Sequence, residues 1–371
     1  MVDAWRWSAV VGILLGTAVF VALFIPMLVW QSRRFGRLTV GRTIVAGAAA
    51  IYGVTLLTYT FLPYPDAEWC ATHASPSPAL KPFHSLDEIA DAVSGLSLGQ
   101  ALRSPTVLQV VMNVVLFVPW GAFSRRLFGR PRWFGVLSGV AMSLFIETAQ
   151  GTGWFGIAPC VYRTADVDDL IANSLGALLG VLVAPLLLWW IPDPHDDIDH
   201  RRSARPVTRT RRLIGMLVDW SAFIAGWAAL TIAVRGFDRL DLARPRYAHG
   251  SWMDQVVPGI VAAVLVVLLP MLIGSGATLG QRAVWLAPGP GRGAKSRSLV
   301  RFATGLGAYA ALVVAETIPG TPDGVRSVLS AASWVVLVVS AVAVVADAGA
   351  RGLSFRASGT ALVDAREGTV S

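Results

Sequence analysis

The chain has 371 residues, of which 54% are hydrophobic and only 15% charged, with a mean hydropathy of +0.60, against about 25% charged residues in soluble domains. That balance excludes a soluble enzyme or binding module. The net charge of +8 and pI near 10.2 therefore point to a membrane surface rather than to nucleic acid, and the expected partner is the lipid bilayer.

An apolar stretch of about 20 residues crosses a bilayer as a helix, and the sequence predicts nine of them, over 8–30, 42–63, 105–123, 133–151, 168–191, 213–234, 255–273, 302–318 and 328–346. The fold class is an all-α integral membrane protein in two bundles, five helices and then four. The first span has no small-residue cleavage site before Trp30 and is followed by Arg33, Arg34 and Arg37, so it is read as a retained anchor rather than a signal peptide. Most of the 31 basic residues fall in alternate connections, among them Arg125, Arg126, Arg130 and Arg132, then Arg201 to Arg212, then Arg292 to Arg301. By the positive-inside rule these connections are cytoplasmic, which puts the N-terminus outside and the C-terminus in the cytoplasm of a multi-pass plasma-membrane protein. Arg235, Arg239, Arg244 and Arg246, in the expected outside loop over 235–254, run against the rule, partly offset by Asp238 and Asp241.

The loop from Tyr64 to Ser104 carries Ser85 and Glu88 at capping-box spacing, with Ile89, Ala90, Val93 and Leu96 at helical intervals. It predicts a short amphipathic helix on the outer surface, either a lid or simple packing. Cys70 in this loop and Cys160 in the next outside loop are compatible both with a disulfide and with two free thiols.

Spans three to five carry a set of polar residues that hydrocarbon disfavours by a few kcal/mol each or more. In span three, Gln109, Asn113, Phe117 and Gly121 share one stripe, and Pro119 loosens the half beyond them. Span four carries Gly139, Ser143, Glu147 and Gln150 on a stripe, with Glu147 roughly 21 Å from the inner end at 1.5 Å per residue. A carboxylate at that depth either pairs with a cation, for which Arg163 is nearest in sequence, or carries a proton. In span five, Asp166, Asp169, Asn173, Gly176 and Gly180 form one stripe, acidic above and glycine below, where a neighbouring backbone can approach closely. Asn113, Glu147, Gln150, Arg163, Asp166, Asp169 and Asn173 are thus the candidate binding residues. Glu147, Asp166 and Asp169 are the candidates for any catalysis, although no catalytic role is assigned.

The stretches Asn113-Val-Val-Leu-Phe117-Val-Pro119-Trp-Gly121, Ser143-Leu-Phe-Ile-Glu147-Thr-Ala-Gln150, Arg163, Asp166-Val-Asp168-Asp169 and Asn173-Ser-Leu-Gly176-Ala-Leu-Leu-Gly180 resemble, in order and spacing, the VanZ-like membrane family over roughly residues 8–192. That family is named for a protein linked to low-level resistance to the glycopeptide antibiotic teicoplanin. The resemblance implies a polar, outward-facing site at the cell envelope and supplies no reaction.

The stretch after Ile191 is highly charged and proline-bearing. His195 and His200 stand there among Asp193, Asp196, Asp197 and Asp199, but the prolines and charge density favour a solvated linker over a metal cage. The expected domains are therefore 1–192, a cytoplasmic linker over 193–212, and 213–371 with a short cytoplasmic tail. In the last of these, Arg212 with Asp219, then Gly276-Ala-Thr278-Leu-Gly280-Gln-Arg282, Arg301 and Arg351-Gly-Leu-Ser-Phe-Arg-Ala-Ser-Gly359-Thr360 resemble the RDD membrane domains. Where that family carries a His-Asp pair this sequence has Ser354 and Phe355, which removes a support for ion-coupled transport. Asp219, about 10 Å inside the inner edge, is expected to pair with Arg282 or Arg301 in a scaffold role.

The sequence holds no Gly-x-x-x-x-Gly-Lys-Ser or Gly-x-x-x-x-Gly-Lys-Thr phosphate loop, no His-Glu-x-x-His and no Cys-x-x-Cys. No cofactor or metal is assigned, and the sequence assigns no oligomeric state. The favoured function is binding of an amphiphilic cell-wall or glycopeptide-type molecule at the outward pocket. The alternatives are an enzyme on a lipid-linked envelope precursor using the same carboxylates, and ion or solute transport through the second half.

Overall fold

The computed structural model describes residues 2–62, 64–199, 201–239, 251–289 and 294–367. Arg244, Arg246 and Asp241 of the expected outside loop, with His200 and Arg292, lie outside the described residues. The chain divides into two compact units, Met1–Phe24 with Thr39–Asp197, and Ile25–Leu38 with Ile198–Ser371.

In the first unit the long helices are α1 (Val2–Phe35, whose last part belongs to the second unit) and α2 (Val40–Phe61). After α3 (Ala67–Thr72) and α4 (His84–Val93) come α5 (Pro105–Arg126), α6 (Arg132–Gly151) and α7 (Val167–Leu187), and the unit closes with α8 (Pro194–Asp199). Local chemistry sets their ends. Thr39, Ser104 and Asp166 cap α2, α5 and α7 through their side-chain oxygens, and Arg125 and Arg126 lie in the last turn of α5, where they complement the helix dipole. Phe117, Leu56, Ile146 and Ala177 form the buried centre of this bundle. Tyr52 Oη donates to Leu116 O at 2.8 Å, just before Pro119, whose ring interrupts the helical ladder.

The glycine stripe packs as a seam between α5 and α7. A Cβ built on Gly176, Gly180 or Gly121 would run into the carbonyl oxygen of Val114, Val118 or Ala177 respectively, so only glycine admits this approach. The start of the charged stretch after Ile191 is docked rather than solvated. Buried Arg42 pairs with Asp197 at 2.5 Å and donates to Pro192 O, while Arg126 pairs with Asp193 at 2.7 Å and donates to Ile191 O. A guanidinium with that many acceptors offsets the cost of leaving water.

In the second unit α9 (Arg209–Arg239) and α10 (Trp252–Leu272) pack around Phe223, Ala262, Val267, Met271 and Tyr309. A π-helical turn over Ala263–Leu268 sits just before Pro270, which has no N–H for the ladder. Then come α11 (Leu279–Ala283), β1 (Leu286–Pro288), α12 (Ala294–Ala303), α13 (Leu306–Glu316), α14 (Asp323–Ala346), α15 (Gly352–Ala357) and β2 (Leu362–Asp364). The short antiparallel β1–β2 ribbon pairs Leu286 with Asp364 and is a small addition to a mostly helical fold, consistent with the all-α expectation. Buried Asp364 accepts from Arg366 Nη2 at 2.6 Å and Arg211 Nη2 at 2.8 Å, and Arg366 also donates to Gly36 O and Arg201 O.

Asp219 pairs with neither Arg282 nor Arg301. Its two oxygens accept from Thr278 Oγ1 and Gly280 N, both at 2.6 Å, so it caps α11 from a neighbouring helix. Arg282 instead donates to the carbonyls of Ala277, Pro270 and Ile273, and Arg301 to Gly276 O and Ser298 Oγ. Gly280 faces the Gly215 carbonyl too closely for any side chain, which brings the amide within reach of Asp219.

Among the described residues seven helices are long and apolar enough to cross a membrane, and α12 with α13, bent by 52° at their break, make an eighth by the same measure. The remaining expected span is α6, a 20-residue helix whose apolar run is broken by Glu147 and Gln150.

Candidate functional site

Three hydrogen bonds, two part-buried and one buried, bring the polar residues of α5, α6 and α7 together at one end of the bundle. The Asn113 amide donates to Asp169 Oδ1, and Glu147 Oε2 accepts from the Asp166 backbone N–H at 2.9 Å. One layer deeper, Asn173 donates to Ser143 Oγ at 3.0 Å. Asp166 and Asp169 lie within electrostatic range of Glu147, so three carboxylates share the corner. Glu147 is 7% exposed and Asn173 4%, while Asn113, Asp166 and Asp169 are half-buried, so the corner is desolvated at Glu147 and Asn173 and partly exposed at its other members.

Two expected members turn away. Gln150 donates to Thr60 O at 3.2 Å, and Arg163 donates to Leu62 O at 2.8 Å and Tyr59 O at 3.5 Å, carbonyls at the end of α2. Among the described residues Arg163 makes no ion pair with Glu147, because the helix end offers it acceptors that need no carboxylate. The corner of Glu147, Asp166 and Asp169 consequently holds acceptors without a guanidinium.

Sequence spacing did not reveal Asp168 and His84. Asp168 accepts from Phe83 N at 2.6 Å and Ser85 N at 2.8 Å, so it caps α4 from α7. This displaces the expected capping box. Phe83, in the left-handed region at φ 64°, is the N-cap and makes no side-chain cap bond, which leaves Ser85 inside the first turn. His84 lies 3.0 Å from Asp168 through Nδ1 and 3.4 Å from Asp166 through Nε2. Partial burial opposes its charging, but the Lys81 carbonyl and the carboxylates of Asp166, Asp168 and Glu88 outweigh that and raise its pKa above the ordinary histidine value. Ala79 completes the latch by pairing with the strand-like start of α7, donating to Ala165 O and accepting from Val167 N. The α4 helix, half-burying Ile89 and Val93, is thereby tied beside the carboxylate corner. His84, Asp166 and Asp168 present a metal-sized ligand set. Both Asp168 oxygens and one Asp166 oxygen already accept amide protons, so an imidazolium bridging two carboxylates accounts for the arrangement.

Cys70 and Cys160 form a disulfide, Cα to Cα 5.8 Å, that ties α3 to the segment between α6 and α7. Tyr162 donates to Phe61 O at 2.6 Å and accepts from Trp154 Nε1 at 2.8 Å, closing the same side of the unit.

These elements, α2 to α7, coincide with the one comparison that finds a relative. Residues 49–188 match the family model described as VanZ/LLP1. No curated protein and no solved structure matches the chain. The VanZ-like domain begins inside α2, later than the expected start near residue 8, and ends with α7, so it holds every member of the carboxylate corner. Together with the apolar helices, it points to a cell-envelope-related membrane protein. The match says nothing of the second unit.

Proposed function

We propose that the VanZ-like domain binds an amphiphilic cell-wall or glycopeptide-type molecule at the corner formed by Asn113, Glu147, Asp166 and Asp169. The observation that carries this reading is the meeting of three carboxylates and one amide, without a guanidinium, at one end of three apolar helices. Acceptors held out of water favour a ligand rich in amines, hydroxyls or amides, and disfavour a phosphate. Charge sorting of the loops supports an outward-facing corner, with the N-terminus outside, the C-terminus cytoplasmic, and nine spans in groups of five and four in the plasma membrane. On this reading the domains run 1–192, 193–212 and 213–371.

In a strain lacking the protein, complementation by the wild type should restore glycopeptide tolerance or lipid-linked precursor levels. Glu147→Gln, Asp166→Asn and Asp169→Asn should lose that restoration. If all three variants complement fully, the reading fails.

A second reading makes the corner an enzyme on a lipid-linked envelope precursor. Glu147 and Asp169 would then act as general acid and base, which their proximity allows. Turnover by purified protein that disappears in Glu147→Gln separates it from binding. For the second unit, the placement of Asp219 against Thr278 and Gly280 supports a scaffold role first, with ion or solute transport second. Asp219→Asn that leaves vesicle ion flux unchanged removes the transport reading.

A further inference from the structure

The second unit encloses a cavity of about 80 Å³, several times the roughly 10–15 Å³ that one water needs. Two buried guanidinium groups line it: Arg212, 6% exposed, and Arg301, 4% exposed. Nε and Nη1 of both have no protein acceptor. The two groups lie against one ring, with Arg212 Cζ 4.9 Å and Arg301 Cζ 5.1 Å from the centroid of buried Phe355.

Among the described residues the only carboxylate that lines the cavity is Asp219, and its oxygens are engaged by Thr278 and Gly280. Arg351, also in the lining, is held by Asp347. Arginine does not shed its proton in a protein. Two buried positive charges therefore face one committed negative charge, and the ring quadrupole of Phe355 offsets little of the difference.

A further positive element opens on the same space. The break between α12 and α13 brings Gly305 and Leu306, the N-terminal end of the 11-residue α13, into the lining. The helix dipole there favours an anion. Unmatched donors on two planar forks, a helix N-terminus and a cavity of a few heavy atoms are complementary to a tetrahedral oxyanion. Arg212 lies in the first turn of α9, at a span's edge, and Val336, Leu337, Trp220 and Met271 continue the lining as apolar wall.

We propose that the second unit binds a phosphate-type oxyanion between Arg212 and Arg301, either free phosphate or the phosphate of a lipid headgroup. This site is independent of the carboxylate corner and goes beyond the function proposed for it. Arg212 and Arg301 form charge-assisted bonds to the oxyanion, Phe355 holds the two forks at a common distance, and Asp219 keeps the Thr278–Gly280 turn in place beside them.

The test uses the full-length protein, purified in detergent and delipidated. It is titrated with inorganic phosphate, with a short-chain phosphatidylglycerol, and with sodium chloride at matched ionic strength, while the unfolding midpoint is followed. Phosphate or the lipid should raise the midpoint in a saturable way that chloride does not reproduce, because a ligand that binds only the native state stabilises it. Response to phosphate identifies the free ion, and response to the lipid alone identifies the headgroup. Arg212→Gln and Arg301→Gln should each weaken apparent affinity about tenfold or more. Arg212→Lys and Arg301→Lys, which keep the charge but lose the planar fork, should also weaken it and serve if the glutamine variants do not fold. Absence of a saturable response in the wild type into the millimolar range, an equal response to chloride, or unchanged affinity in folded variants would overturn the proposal.

Discussion

Asp168 and Asp169 are neighbours on α7 with different work. Asp168 holds the start of α4 through two backbone amides and His84, whereas Asp169 faces Asn113 in the carboxylate corner. Their substitutions should therefore separate. Asp168→Asn should loosen α4, seen as faster amide exchange over residues 84–93, while Asp169→Asn should leave that exchange unchanged. His84 adds a pH dependence whose sign follows from its raised pKa. The latch is fully charged below the unfolded histidine value of about 6.5 and is lost as pH rises through the folded value above it. Exchange over α4 should accelerate on that rise in the wild type and be pH-independent, apart from intrinsic chemistry, in His84→Ala. Asp364 gives the opposite sign. Burial opposes its charge, but bonds from Arg366 and Arg211 outweigh that and hold its pKa down to about 2. Its stabilisation is present above the unfolded aspartate value of about 3.9 and is lost as pH falls toward 2. Asp364→Asn should cost the second unit about 3–5 kcal/mol near neutral pH, measured by thermal unfolding, because two guanidinium groups lose their carboxylate.

At the scale of elements, the seam between α5 and α7 sets the height of the corner. With Gly176 and Gly180 against the Val114 and Val118 carbonyls, the helices approach closely about two to three turns from Asp169 and within about one and a half turns of Asn113. Gly180→Ala gives a result whose sign is diagnostic. On an exposed helix that change gains about 1 kcal/mol of helix propensity. Here the added Cβ meets backbone, so the variant should instead lower stability by about 1–3 kcal/mol, read as a drop in unfolding midpoint in detergent. A rise would mean that the seam is open. The disulfide from Cys70 to Cys160 acts on the same region from the other end. It ties α3, the element before α4, to the segment that leads into α7, so reduction should increase exchange in α4 before it affects the glycine seam.

At the scale of the whole molecule, what was legible in the sequence was what lies within one helix. Asp166, Asp169, Asn173, Gly176 and Gly180 share a face because a 3.6-residue period puts them there, and the structure uses that face as a seam with a polar top. Asn113 was legible for the same reason, since its depth follows from helical rise. Direction across a loop was not. Arg163 stands near Glu147 in sequence, yet the carbonyls of Leu62 and Tyr59 claim it. His84 and Asp168 meet from distant segments, and a histidine in a polar loop carries no periodic signal. Asp219 was misread because an aspartate among arginines suggests an ion pair, while a Gly-Gly contact between Gly215 and Gly280 lets a backbone amide arrive first. The bend between α12 and α13 escaped because their joint apolar content reads as one span.

The central claim is that the corner of Asn113, Glu147, Asp166 and Asp169 in the VanZ-like domain is a binding site for an amphiphilic envelope molecule. The most direct measurement is a titration of the purified protein, in lipid nanodiscs, with teicoplanin and with a lipid-linked cell-wall precursor. At least one should bind saturably, and Glu147→Gln and Asp169→Asn should each weaken it about tenfold or more, as for removal of one partner from a desolvated, charge-assisted contact. No saturable binding of either ligand, or equal binding by the wild type and both folded variants, would contradict the claim.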